Sequence, residues 1–239
     1  MSKGLALIQQ GLASLGYDPG PADGLYGPKT AAAIMAAGAN AFEPAKPPAA
    51  PVGAMATSPE GIFALAVHEG IVPAPYLDSV GVWTYGIGHT AAAGEPDPAK
   101  MPKGMPADLD RALQSVLAVF RRDLAKYEAD VRRALKVPVT QPEFDALVSF
   151  HYNTGAIGRA ALVDALNRND RRGAVAGFMS WIKPAEIIPR RKAEQALFRD
   201  GTYSTGPANV WQADAAGRVI WKAVTRLDKA QFLALMKGA

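Results

Sequence analysis

Residues 69–90 read Glu69-Gly-Ile-Val-Pro-Ala-Pro-Tyr-Leu-Asp78-Ser-Val-Gly-Val-Trp-Thr84-Tyr-Gly-Ile-Gly-His89-Thr90. A helix is predicted to run into this stretch. Ser58-Pro59 reads as N-cap and first helical residue, and Thr57 with Glu60 offers a capping box one residue earlier. Ile62, Leu65 and Ala66 repeat at helical spacing, with Glu69 next on the same stripe and Gly70 as the stop. Glu69 is therefore expected at the last helical turn, facing the core. Burial and the negative end of the helix dipole both disfavour the charged carboxylate. A general acid for glycoside cleavage needs that setting; the alternative is an ordinary helix-end glutamate.

The residues after Glu69 change register. Gly81, Gly86 and Gly88 mark tight turns. Val80, Val82, Trp83, Tyr85 and Ile87 favour short strands between them. A small antiparallel sheet would lift Asp78 and Thr84 beside the end of the Glu69 helix. A second carboxyl and a hydroxyl can hold and polarise a water opposite a scissile bond, which makes a two-carboxylate hydrolase site.

This stretch resembles the catalytic segment of the phage-type lysozymes, glycoside hydrolase family 24. That family's pattern is Glu, eight residues, Asp or Cys, five residues, Thr, and Glu69, Asp78 and Thr84 fit it without a gap. Gly81 to Thr90 is similar to the family's sheet segment nearly residue for residue. The resemblance implies that Glu69 is the proton donor and that Asp78 and Thr84 position the water.

Composition sets the outer limits. The 239 residues, 49% hydrophobic and 20% charged, have room for one ordinary globular domain and a small one. No stretch has the length of a membrane span, and the start, MSKGLALIQQGLASLGY, reads as an amphipathic helix and not as a signal peptide. The family contains members with an N-terminal signal anchor, from which this chain departs. With no cysteine and three scattered histidines, a disulfide, a thiolate nucleophile or a metal cluster is not expected. The net charge of +4 suits an anionic polymer. The basic residues fall in short pairs, which argues against nucleic acid and leaves an acidic cell wall.

Residues 3–38 read as a small helical unit. Leu5, Ile8, Leu12 and Leu15 form one stripe, Gly16 ends the helix, a turn-rich run follows, and Pro28 opens a second helix. The unit resembles the type 1 peptidoglycan-binding domain through Gln9, Leu12, Leu15-Gly16-Tyr17, Gly20, Asp23-Gly24, Gly27 and Thr30. It departs from that domain where Ala36 to Phe42 replaces the usual Phe-Gln continuation. The resemblance implies a three-helix wall-binding fold over 1–42, with Tyr17, Asp23 and Tyr26 as candidate wall contacts. Residues 43–57, rich in Pro and Ala, read as a semi-stiff linker, and 58–239 as the catalytic domain.

Beyond the catalytic segment, residues 91–106 are expected to be loop. A long amphipathic helix follows over about 107–135. Thr140 and Glu143 carry a capping-box signature for the next helix, which ends near Asn153 and Gly155. In the family this helix is the core helix, and Tyr152 matches a cleft-lining aromatic; Tyr152 and Thr90 are the candidate substrate contacts. Shorter helices are predicted at about 159–168, 171–182 and 189–200. The run from Arg190 to Gln195 reads as solvated face and cleft rim. Residues 210–221 read as a hairpin around Asp214 to Gly217, and Asp228 with Gln231 as the cap of a last helix.

The fold expected is α+β, a mostly helical lysozyme-like domain with a small antiparallel sheet behind a small helical domain. The resemblance implies an endolysin muramidase that cleaves the β-1,4 bond between N-acetylmuramic acid and N-acetylglucosamine. No cofactor is implied. Peptidoglycan is the expected partner, no nucleic acid is, and the chain is expected to be a monomer. It would wait in the cytoplasm until a holin opens the inner membrane. The rivals are a lytic transglycosylase using Glu69 alone and a non-catalytic wall-binding protein.

Overall fold

The computed structural model describes residues 2–14, 16–41 and 52–238. Leu15, Phe42 and the linker residues 43–51 lie outside the described residues. The chain divides into two units, Met1–Lys46 and Pro47–Ala239.

In the first unit, α1 (Lys3–Ser14) and α2 (Pro28–Ala41) flank the turn-rich run. Two helices, not three, are present among its described residues. The stripe predicted on α1 is also shifted, because Ile8 is 50% exposed while Gln9 is buried. The reason is the turn, whose polar backbone needs a partner inside. The Gln9 carboxamide donates to Asp23, the Leu25 carbonyl and Thr30, and accepts from the Gly24 N–H. Gly24 has φ of 69°, and a Cβ there would lie 2.5 Å from the Ser2 carbonyl oxygen, so a larger residue does not fit.

The second unit begins with residues 52–57, which the sequence reads as linker. Here they are tied down: Met55 is buried, Arg132 donates to its carbonyl, and the Thr57 N–H donates to Glu128. Then α3 (Pro59–Glu69) opens on Ser58, whose hydroxyl accepts from the Gly61 N–H. Ser58 is thus the cap, one residue after the alternative capping box. Residues Gly61 to Ala66 are buried, so α3 is a core helix with solvent at its last turn.

After Gly70 the chain turns into an antiparallel sheet of β1 (Val72–Leu77), β2 (Trp83–Gly86) and β3 (His89–Thr90), in that order. The register pairs Tyr76 with Thr84 and Leu77 with Trp83. Helix α4 (Leu109–Ala134), capped by Asp108, buries Leu113, Val116, Leu117, Phe120, Leu124 and Val131. Helix α5 (Gln141–Thr154) forms both halves of the Thr140–Glu143 capping box and stops at Gly155, in the left-handed conformation. It packs on α8 (Ile188–Asp200), with α6 (Ala161–Asn167) and α7 (Arg171–Phe178) beside it. In this helical core Phe178 meets Phe150 edge to face and packs against Phe198 at a tilt.

The tail forms a hairpin, β4 (Ala208–Ala213) and β5 (Val219–Leu227), and a last helix α9 (Lys229–Lys237) with the Asp228–Gln231 capping box. Phe232 of α9 packs against Phe63 of α3, with ring centroids 5.2 Å apart. The tail is thus part of the same core. Among the described residues no helix is long and apolar enough to cross a membrane.

Candidate active site

Glu69 is the last residue of α3. The apolar setting expected for it is corrected by the structure. Its side chain is 29% exposed, and its Oε1 lies 2.5 Å from Nη1 of Arg190. Arg190 itself is buried, and its Nε donates to Glu194 Oε1 at 3.0 Å and Nη2 to the Ser149 carbonyl at 3.2 Å. Arg191 also donates to Glu194 and reaches Asn153. A buried guanidinium is costly alone, so Arg190 comes with carboxylates on two sides, Glu194 inside and Glu69 at the partly exposed end of α3. The run from Arg190 to Gln195 is therefore not a solvated face, since Arg190, Arg191 and Glu194 are all buried. A signal was present in the sequence: Arg190, Arg191 and Glu194 share a helical stripe with Leu197 and Phe198.

Asp78 follows β1 and organises the turn into β2. Its Oδ1 accepts from the N–H groups of Val80 and Val82, at 2.9 and 2.8 Å. Thr84 is buried in β2 and donates from Oγ1 to the Val82 carbonyl at 3.1 Å. Asp78 and Thr84 are thus tied to opposite groups of one residue, Val82. Thr84 pairs with Tyr76, and Tyr76 senses both carboxylates. Burial first, then the charges of Asp78 and Glu69, push the Tyr76 phenol up to about 12.

His68 precedes Glu69, and burial followed by the nearby charges of Arg190 and Arg191 pushes its imidazole down to about 4. Tyr152 of α5 donates to the Ile87 carbonyl at 2.9 Å and packs edge-on to Phe120. Burial raises its phenol, and the charge of Glu69 adds to that. The sequence candidates Tyr152 and Thr90 line one cleft of about 160 Å³ with Gly88, Asp123, Lys126 and Tyr127. At its edge His89 is held from both sides: Nδ1 meets Asp123 at 2.7 Å, and Nε2 donates to the Pro96 carbonyl at 2.9 Å.

These elements are the setting for the comparison with known proteins. The phage lysozyme family model matches residues 66–194, from the end of α3 through the first half of α8. The chain belongs to the phage lysozyme family. The endolysin of Salmonella phage P22 is 31% identical over 150 residues, covering 60% of this chain and 98% of the relative. The endolysin of Acyrthosiphon pisum secondary endosymbiont phage 1 is 32% identical over 155 residues, again covering 60% and 98%. Among solved structures, the endolysin from Escherichia coli O157:H7 phage FAHEc1 aligns with a TM-score of 0.53 at 31% identity, covering 64% of this chain and 98% of that one. This membership makes the second unit a lysozyme-like hydrolase of bacterial peptidoglycan.

The peptidoglycan-binding domain family matches residues 2–37, which lie within the first unit. Of the candidate wall contacts there, Tyr26 is 68% exposed and Tyr17 is half-buried. Asp23 is engaged in the turn: it accepts from the Leu25 N–H and the Gln9 amide, and these bonds, in that order, lower its pKa.

Proposed function

We propose that the lysozyme cleaves the β-1,4 bond between N-acetylmuramic acid and N-acetylglucosamine, with Glu69 as general acid. Arg190 engages Glu69 through Oε1, so Oε2 carries the transferred proton to the departing glycosidic oxygen. Asp78 and Thr84 hold the attacking water. Asp78, already fixed by two backbone N–H donors, also steadies the positive charge that develops on the sugar ring. The observation that carries this reading is the placement of the two carboxyls at either end of one short segment. Glu69 ends α3, Asp78 directly follows β1, and Tyr76 feels both. Water attack on the opposite face would invert the anomeric carbon.

In the same reading residues 1–42 hold the enzyme on the wall through Tyr17, Asp23 and Tyr26, and residues 43–57 connect the two units. Tyr152 and Thr90 contact the glycan. The enzyme works as a monomer, binds no nucleic acid, and reaches the periplasm from the host cytoplasm after a holin opens the inner membrane.

The test is Glu69→Gln. It keeps the shape and removes the transferable proton, and general acid catalysis is worth about 10²–10⁴-fold. Turnover of purified sacculi should fall by that factor while the melting temperature stays close to that of the parent. A folded Glu69→Gln chain that clears sacculi at the parent rate would overturn the assignment.

A further inference from the structure

The hairpin β4–β5 lies beyond the family match, which ends at residue 194. It is nevertheless fastened to the segment between the two carboxyls. The Ile71 N–H donates to the Asn209 carbonyl, the Trp211 N–H to the Ile71 carbonyl, and the Leu77 N–H to the Gly217 carbonyl, each at 2.8 Å. Ile71 is two residues after Glu69, and Leu77 is one before Asp78. The hairpin thus runs along β1 from one carboxyl toward the other.

Its aromatic rings continue that line outward. The Trp211 ring covers Gly70, where a Cβ would lie 2.0 Å from a ring carbon. Trp211 and Tyr76 pack against the same small group of Val72, Ala74 and Ala213. Trp221 stands edge-on to Trp211, centroids 5.3 Å apart, and is 68% exposed. Core formation does not account for Trp221, because in β5 Leu227 is the one buried residue. The hairpin also carries Arg218, Lys222 and Arg226 against Asp214, which already pairs with Arg218. An apolar ring face beside surplus cations suits a polymer of hexopyranose rings bearing carboxylates. The C–H face of such a ring stacks on indole, and its polar edge stays in water.

We propose that Trp221, braced by Trp211, stacks an N-acetylhexosamine ring of the glycan strand, so that the hairpin is an added sugar subsite continuous with the active site. This rests on the reading of Glu69 and Asp78 as the cleaving pair. The test therefore separates binding from cleavage. In the full chain carrying Glu69→Gln, calorimetry with a hexamer of β-1,4-linked N-acetylglucosamine measures binding without turnover. Adding Trp221→Ala should weaken that binding roughly 2–10-fold, and Trp221→Phe should restore most of it. In the chain with Glu69 intact, Trp221→Ala should raise KM more on long glycan strands than on a tetrasaccharide, with the change in KM and not in kcat.

Three results would overturn the proposal. One is equal hexamer affinity with and without Trp221. Another is an equal loss of kcat on long and short substrates together with a lowered melting temperature, which would make Trp221 a packing residue of the hairpin. The third is a dimer in sedimentation that Trp221→Ala dissociates, which would make the exposed ring a contact between copies. Continued turnover by Glu69→Gln would remove the cleavage reading instead, and the subsite would then be decided by the comparison of KM on long and short substrates with Glu69 intact.

Discussion

Arg190 holds Glu69 through a 2.5 Å contact while its own Nε is held by Glu194. One guanidinium therefore links the end of α3 to the interior of α8. Removing it strips Glu69 of its anchor and leaves Glu194 buried with Arg191 as its remaining cation. Breaking a buried pair from one side costs about 3–5 kcal/mol. Arg190→Met should lower stability by that order in urea unfolding, and turnover should fall even at temperatures where the variant is folded. Unchanged turnover would show that the anchor has no part in catalysis.

Acid should act through His68. Its imidazole is held down to about 4 in the folded chain, against an ordinary value of 6.5. Between those values the unfolded chain binds the extra proton, so folding is favoured by higher pH. The contribution is complete above pH 6.5, declines as pH falls, and is gone near 4, with a limiting slope of about 1.4 kcal/mol per pH unit. His68→Gln should lack this loss, so the stability of the parent minus that of the variant should fall as pH drops from 6.5 to 4. Parallel profiles for the two chains would contradict the buried neutral imidazole.

Gly70 offers a steric test. It has φ of 74°, and an added Cβ would meet the Trp211 ring. Gly70→Ala should cost about 1–3 kcal/mol from backbone strain and displaced packing. Combining it with Trp211→Ala should cost less than the sum of the two, since the clash is then gone. Strict additivity in thermal unfolding would mean that the ring does not rest on this glycine.

What was legible in the sequence was local. Ser58, Thr140 and Asp228 announce helices because a cap is built from residues two or three positions apart. The spacing of Glu69, Asp78 and Thr84 was legible through the family pattern. Arg190 as the partner of Glu69 was not, because 121 positions separate them and pairing at that range follows from packing. The hairpin itself was readable from its turn residues. Its docking along β1 was not, because backbone bonds between Ile71 and Asn209 leave no mark on side-chain pattern. Ile8 and Gln9 show the same limit: hydrophobicity put Ile8 inside, and the hydrogen-bonding needs of a turn put Gln9 there.

The first unit should matter on insoluble substrate. A chain lacking residues 1–46 should cleave soluble glycan fragments as the full chain does, and be several-fold slower on sacculi, where a second binding module raises local concentration. Added salt should slow the full chain on sacculi, since a chain of net charge +4 is drawn to an acidic wall. Equal rates on sacculi with and without the first unit would remove it from wall recognition.

The central claim is that Glu69, with water held by Asp78 and Thr84, hydrolyses the glycan. Digestion of purified peptidoglycan in heavy-oxygen water, followed by mass spectrometry of the fragments, tests this most directly. The account predicts muramic acid reducing ends that each carry one heavy oxygen from solvent. Fragments ending in unlabelled 1,6-anhydro rings would contradict it and make the enzyme a transglycosylase.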